Sequence, residues 1–361
     1  MKIGNKIYSK AELQKRIGNL GQIGGVRHYE LLEGSNKGTR AIDVNTGSGF
    51  NFTILPDRGM DISRASYKGM NLVYQTPNGE VNPAFYQSQG SEWLRTFFAG
   101  LLTTCGLTYL GPPGKDGDDD LGLHGRYSAS PARQVCDLSR WEKDEYRIEL
   151  SGHLEESILF GSKIRLNRTI MSQIGLKSLY IEDIVENYGS TDSPFTILYH
   201  INIGFPVLDK NSKLVVSSNK IFSYDELSKS GIIKFNQFSE PIANYQEQNF
   251  FHEMLGDKEG YAYAALINTE IENGIGVYIK FAIANLPYLS EWKMMGEVDY
   301  VVALEPCNTK CKNRGDLRRE GILPMIEPGE SKKTEVEIGV LVGEKEISDF
   351  VSKIDAIKKI K

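Results

Sequence analysis

Histidine is scarce in this 361-residue chain: His28, His124, His153, His200 and His252 are all there are. Each is therefore a candidate for proton transfer near neutral pH, where imidazole titrates without help. His124 stands in LGLHGRYSASPA beside Arg126, after an acidic loop and before a strand. A loop histidine with small neighbours leaves room for a ligand to approach the backbone. His200 closes the apolar run FTILYH and enters INIGFP, which predicts a strand end next to Asn202 and Gly204. His153 lies in an alternating run and reads as structural or surface; His28 is neutral on this point; His252, after Phe250-Phe251, reads as a pocket wall or a core residue. The carboxylate of interest is Glu305 in YVVALEPCN, expected to terminate a strand whose pairing Pro306 ends. A carboxylate there is costly unless it is paired or functional, and a bond to a nearby arginine is the structural alternative. Partial burial raises a glutamate toward neutrality, so glutamate and histidine together suit concerted acid and base chemistry.

Other chemistries find less support. Gly18, Gly21, Gly24 and Gly25 run into Val26-Arg27-His28 rather than a phosphate-binding Gly-Lys-Ser/Thr. The acidic loop Asp116 to Asp120 puts Leu121 and Tyr127 where a calcium loop needs glycine and glutamate, so it reads as a solvated loop. No Gly-x-Ser-x-Gly elbow occurs. The four cysteines are too few for a disulfide framework, and Cys307-x-x-x-Cys311 lacks a second ligand pair for zinc; free thiols are expected, with Cys105 and Cys136 buried. Asp57 and Arg58 in LPDRGMD read as a neighbouring salt bridge at a strand turn. A formal charge of −5 argues against a general nucleic-acid binder. The N-terminus has no signal-peptide core and apolar runs such as Tyr261 to Ile267 are too short for a membrane span, which predicts a cytoplasmic protein.

The elements that must position these groups are mostly strands. Period-two alternation runs through Tyr146, Ile148, Leu150, through Ile164, Leu166, through Val277 to Ile283, and through Val336 to Val342. Turn clusters such as PNGE (77–80) and EPGES (327–331) separate them, and few helical patterns intervene, so antiparallel sheets are expected. Two helices are legible. One spans about 9–17, with a Ser9/Glu12 capping box and Gly18 as its left-handed stop. The other spans about 345–360, with Ile347, Phe350, Val351, Ile354, Ile357 and Ile360 as an apolar stripe. No repeat or low-complexity linker appears, so residues 1–361 are expected to form one large β domain.

Three segments in order, Leu-His124-Gly-Arg126, Tyr-His200-x-Asn202 and Leu-Glu305-Pro306, resemble the aldose 1-epimerase, or galactose mutarotase, superfamily over roughly Arg27 to Val342. Arg95 in WLRTFFAGLLTTCGL resembles the family's sugar-contacting arginine, and Pro328-Gly329-Glu330 its final turn. The resemblance implies an all-β fold, a large antiparallel β-sandwich with a few short helices. It implies an isomerase that interconverts sugar anomers without metal or organic cofactor: Glu305 as base on the anomeric hydroxyl, His200 as acid at the ring oxygen, His124 and Arg95 on ring atoms. Arg126, Asn202, His252, Trp292 and Arg58 are the further pocket candidates. Departures mark a divergent subgroup: LPDRGMDIS, FAGLLTTCGLT and LPYLSEWKMMGE, and His-Ile-Asn in place of the family's His-Pro-Tyr turn. The typical sugar-binding aspartate has no clear counterpart, with His252 or Glu247 nearest to it. The implied partner is a small-molecule carbohydrate, not nucleic acid or membrane, and a homodimer is open to the chain. An anionic sugar, favoured if Arg58, Arg95 and Arg126 share one wall, and a non-catalytic sugar-binding protein are the alternatives.

Overall fold

The computed structural model describes residues 1–3 and 6–359. Three antiparallel sheets dominate it, in keeping with the alternating sequence. The N-terminal sheet is a meander of β1 (Gly25–Glu30), β2 (Arg40–Asn45), β3 (Phe50–Leu55), β4 (Asp61–Tyr67) and β5 (Met70–Asn71), paired in that order. A six-stranded sheet holds β6 (Thr103–Leu107), β7 (Thr196–Ile203), β8 (Ser218–Ser223), β9 (Gln248–Met254), β10 (Tyr288–Met295) and β11 (Tyr300–Cys307). Its spatial order is β8-β9-β10-β11-β7-β6. The third sheet has nine strands, with Ser331–Val342 between Ser178–Asn187 and Ile275–Ala282 at its centre.

Burial follows from the pleat. In the strand Lys163–Gln173 every second residue is buried, one face on the core and one toward water. By contrast, β7 and β11 bury all eight residues each, so both their faces are covered. One face packs into the main core, where Ile197, Ile201 and Leu304 join Val277, Ile279 and Val336 of the nine-stranded sheet. The other carries a second apolar cluster that includes Trp93, Phe97, Cys105, Leu110, Leu198, Phe251 and Cys307.

A buried ionic knot joins the three sheets. The Arg168 guanidinium, fully buried, contacts Asp61 at 2.8 Å and Asp183 at 2.7 Å. Asp61 also accepts from the Thr104 amide and hydroxyl, and the Tyr199 hydroxyl donates to Asp183 at 2.6 Å. Nothing in the surrounding sequence singled out Arg168.

Both legible helices form, with corrected ends. The first spans Lys10–Gln14, and its Ser9/Glu12 capping box is present. It ends before Gly18, which is not in the left-handed region; Lys15 caps it in a right-handed conformation. The C-terminal helix is Gly343–Lys359, burying Ile347, Ile354 and Ile357; Ile360 lies outside the described residues. Cys136 is exposed rather than buried, because its strand Arg133–Asp137 is an edge of the nine-stranded sheet. The acidic loop is a short hairpin whose Asp116 and Asp119 are gripped by Arg314. Arg318 adds a bond to Asp116, and hydrogen bonds from the two arginines hold that carboxyl down at about 2.

Candidate active site

His200 and Glu305 meet on neighbouring strands. His200 lies in the middle of β7 and Glu305 within β11, neither at a strand end. Pro306 does not end the strand; it pairs with Leu289 of β10. Lacking an N–H, it coincides with a gap in the β7–β11 register, flanked by Leu198↔Cys307 and Ile201↔Leu304. Within that gap the His200 Nε2 and Glu305 Oε1 atoms are 3.1 Å apart. Across the same face, Ser290 of β10 stands opposite Glu305 and Phe251 of β9 opposite Ser290.

The third group arrives from the covering loop. The His124 ring lies 5.9 Å from that of His200, edge to face, and its Nδ1 bonds the Leu110 carbonyl at 2.8 Å. His124 itself adopts φ 58°, a conformation uncommon outside glycine and enriched at functional positions. Gly125 follows at φ 75°, and a Cβ there would sit 2.2 Å from the Tyr109 carbonyl. Its smallness therefore serves the packing of chain on chain rather than ligand approach. Gly125→Ala is expected to displace the His124 loop, costing about 1–3 kcal/mol of strain and lowering any activity; a thermal unfolding midpoint equal to wild type would refute this.

Aromatic rings wall the two histidines. Trp93 stacks on Phe97 at 4.4 Å and meets His124 edge-on at 4.7 Å, while Phe97 and Trp292 lie 5.3 and 5.5 Å from His200. The Trp292 indole N–H donates to Glu247 at 2.7 Å on the exposed side. Beside this wall opens a cleft of about 440 Å³ bordered by Phe222, Tyr224, Phe251, Lys310 and Cys311.

Burial sets the protonation of the trio. Desolvation pushes the Glu305 carboxyl up to about 8, opposed by the Ser290 hydroxyl and reinforced by Glu247 and Glu291. Desolvation likewise lowers His200 to about 3, with His124 adding to the effect, and lowers His124 to about 4. These shifts favour uncharged imidazoles and a protonated Glu305 at neutral pH, with His200 Nε2 3.1 Å from the Glu305 Oε1. Among the described residues, two buried polar atoms here lack a partner, His200 Nδ1 and Asn202 Oδ1. The Asn202 amide nitrogen is fixed by the Gly100 and His200 carbonyls at 3.1 and 2.8 Å, which leaves its oxygen beside the ring it favours in charged form.

The remaining expectations separate. Trp292 and Asn202 join the cluster, and Arg126 is at the surface beside it, its side chain bonded to the Ser88 hydroxyl at 3.1 Å. Arg95 points outward, its side chain 77% exposed and tied to Glu92. Arg58 is fully buried and donates to the carbonyls of Ser128, Val81 and Thr96. Its neighbour Asp57 pairs instead with Arg40 at 2.6 Å, because the turn points the two side chains apart. Thus Arg58, Arg95 and Arg126 do not share a wall. His252 follows Phe251 and so projects through the opposite face of the sheet, where it is buried 3.1 Å from Glu291. Ser290, Trp93 and Phe97 were not singled out from the sequence. The signals available were the Ser290-x-Trp292 alternation and the aromatic residues either side of Arg95.

The sandwich has the galactose mutarotase-like fold. A protein from Klebsiella pneumoniae described as a candidate aldose 1-epimerase superimposes with a TM-score of 0.87 at 22% identity, covering 98% of this chain and 95% of its own. A galactose mutarotase-like protein from Clostridium acetobutylicum gives 0.61 at 14% identity over 89% and 99%. Galactose 1-epimerase from Lactobacillus acidophilus gives 0.58 at 11% over 89% and 100%. At these identities the likeness establishes the fold. No curated protein matches the sequence. The chain belongs to the family described as a domain of unknown function, DUF4432, whose profile matches residues 36–340, and its fold is mutarotase-like. Among the described residues no helix is long and apolar enough to cross a membrane.

Proposed function

We propose that the protein is an aldose 1-epimerase-like isomerase that opens and recloses the ring of a sugar. The observation that carries this reading is the 3.1 Å contact between His200 and Glu305, flanked by the Phe97 and Trp292 rings and with the His124 ring 5.9 Å from that of His200. Ring opening needs one proton removed from the anomeric hydroxyl and one delivered to the ring oxygen. A pair holding a single proton is at the right protonation level for that exchange. With its proton on His200, Glu305 takes the hydroxyl proton while His200 protonates the ring oxygen; rotation about C1–C2 and reclosure give the other anomer. His124, held by the Leu110 carbonyl, contacts a ring oxygen, and Trp292 offers a face for stacking. Because the three arginines are dispersed, a neutral sugar suits the recess better than an anionic one.

The test is NMR exchange between α and β anomers over a panel of aldoses, uronates and phosphosugars. Saturation transfer accelerated by wild-type protein supports the isomerase and names its substrate. Binding without acceleration of any sugar overturns it in favour of a binding protein. The rate should also depend on pH in a defined direction. The proton needed for catalysis is present below the Glu305 value of about 8 and lost above it, so kcat/KM is expected to be flat near neutrality and to fall tenfold per unit above about pH 8. A profile that rises through pH 9 contradicts the one-proton pair.

A further inference from the structure

We propose a second binding site, remote in chemistry from the acid-base pair: a trough on the outer face of the N-terminal sheet that takes an oligosaccharide bearing a carboxylate. The trough has a volume of about 740 Å³, and a smaller depression of about 280 Å³ continues it along the same face, sharing Asp43, Thr53 and Arg64. Strand register explains its floor. Arg27, Asp43, Thr53 and Arg64 form one row across β1 to β4, and Gly25, Asn45, Asn51, Ser66 and Asn71 form the next across all five strands. The inner face of the same strands carries Ile42, Val44, Phe52 and Ile54 in the core, so the polar character belongs to the outward face alone. Five strands at ~4.8 Å spacing give a track of roughly 19 Å, longer than one sugar.

The groups on the track match a glycan. Asp43 accepts from Tyr29 and Thr53 through one oxygen, leaving the other for a sugar hydroxyl. Asn45 uses its oxygen on Gly47 and Asn51 its nitrogen on Gly49, so an amide donor and an amide acceptor stand side by side in one row. Tyr29, 37% exposed, presents a ring at the end of the floor as a stacking surface. The cations decide the charge of the ligand. Arg64 is bound bidentate by Glu80. Arg27 is exposed and, among the described residues, its guanidinium has no ion pair or hydrogen bond although Asp43 is its cross-strand neighbour. A planar fork with all donors available beside neutral amides suits a sugar carboxylate.

The experiment is calorimetric titration of the full chain with tetragalacturonate and, in parallel, with neutral maltotetraose. Wild type is expected to bind the acidic probe at least tenfold more tightly. Arg27→Ala should remove that preference, Arg27→Lys should restore part of it, and Tyr29→Ala should weaken both probes; the Arg27 variants should keep the wild-type unfolding midpoint because that side chain is exposed. Glu305→Gln should leave binding untouched, which separates this site from the acid-base recess: if the isomerase reading fails, the trough still binds, and the reverse also holds. Binding lost in Glu305→Gln, affinity unaltered in Arg27→Ala, or no binding of either probe overturns the proposal. So does a dimer by light scattering that Arg27→Glu dissociates, since the face would then belong to a second copy.

Discussion

Glu305→Gln is expected to lower anomer exchange by roughly 10²–10⁴-fold, the usual share of a positioned acid or base, while leaving the unfolding transition near that of wild type. The fold should persist because the amide keeps the size of the carboxyl and, like the protonated acid, is neutral in the site where burial raises Glu305 to about 8. His200→Asn should fall by a similar factor. The double variant should lose little more than the worse single one, since in the proposed mechanism the two groups share one proton and act as a unit. Losses that simply add would count against the shared proton, and wild-type turnover in either single variant would remove that residue from the mechanism.

The largest loss of stability is expected from Arg168→Met. It leaves Asp61 and Asp183 facing each other in a fully buried site with no cation. Removing one partner of a buried ion pair costs about 3–5 kcal/mol, and here the guanidinium also packs over the Tyr127 and Tyr199 rings at 5.3 and 5.8 Å. Activity should fall as well, because Tyr199 and Thr104, both bonded in the knot, precede His200 and follow Thr103, its partner in the β6–β7 register. Urea unfolding measures the first effect: a midpoint unchanged from wild type would show that the knot contributes nothing net. Arg168→Met with Asp183→Asn together should recover part of the loss, since one buried charge is then removed.

The catalytic candidates were legible in sequence for a local reason. His124 in a glycine-flanked loop, His200 closing an apolar run and Glu305 before a proline are each chemically odd where they stand. Oddness survives without coordinates. Their placement at strand ends was misjudged because an apolar run does not tell a strand's end from a strand buried throughout, and β7 and β11 continue past the polar residue on both sides. Arg58 and Arg95 show the same limit for charge: Arg58 donates to three backbone carbonyls that lie far away in sequence, and Arg95, although its partner Glu92 is only three residues back, turns outward to the surface, which its own segment does not reveal.

By itself the sequence determined that the chain is built of antiparallel strands with a capped N-terminal helix and an amphipathic C-terminal one, since alternation, caps and turns are short-range patterns. It also determined the order of the two histidines and the glutamate. Only the tertiary structure decided which face each strand turns toward the recess. Where one face is wet, as in Lys163–Gln173, hydrophobic alternation fixes the phase; where both faces are buried, as at Phe250-Phe251-His252 in β9, consecutive residues are buried and the phase is lost. That loss is why Phe251 rather than His252 borders the recess, and why Ser290, Trp93 and Phe97 emerge only when the covering loop closes over the sheet.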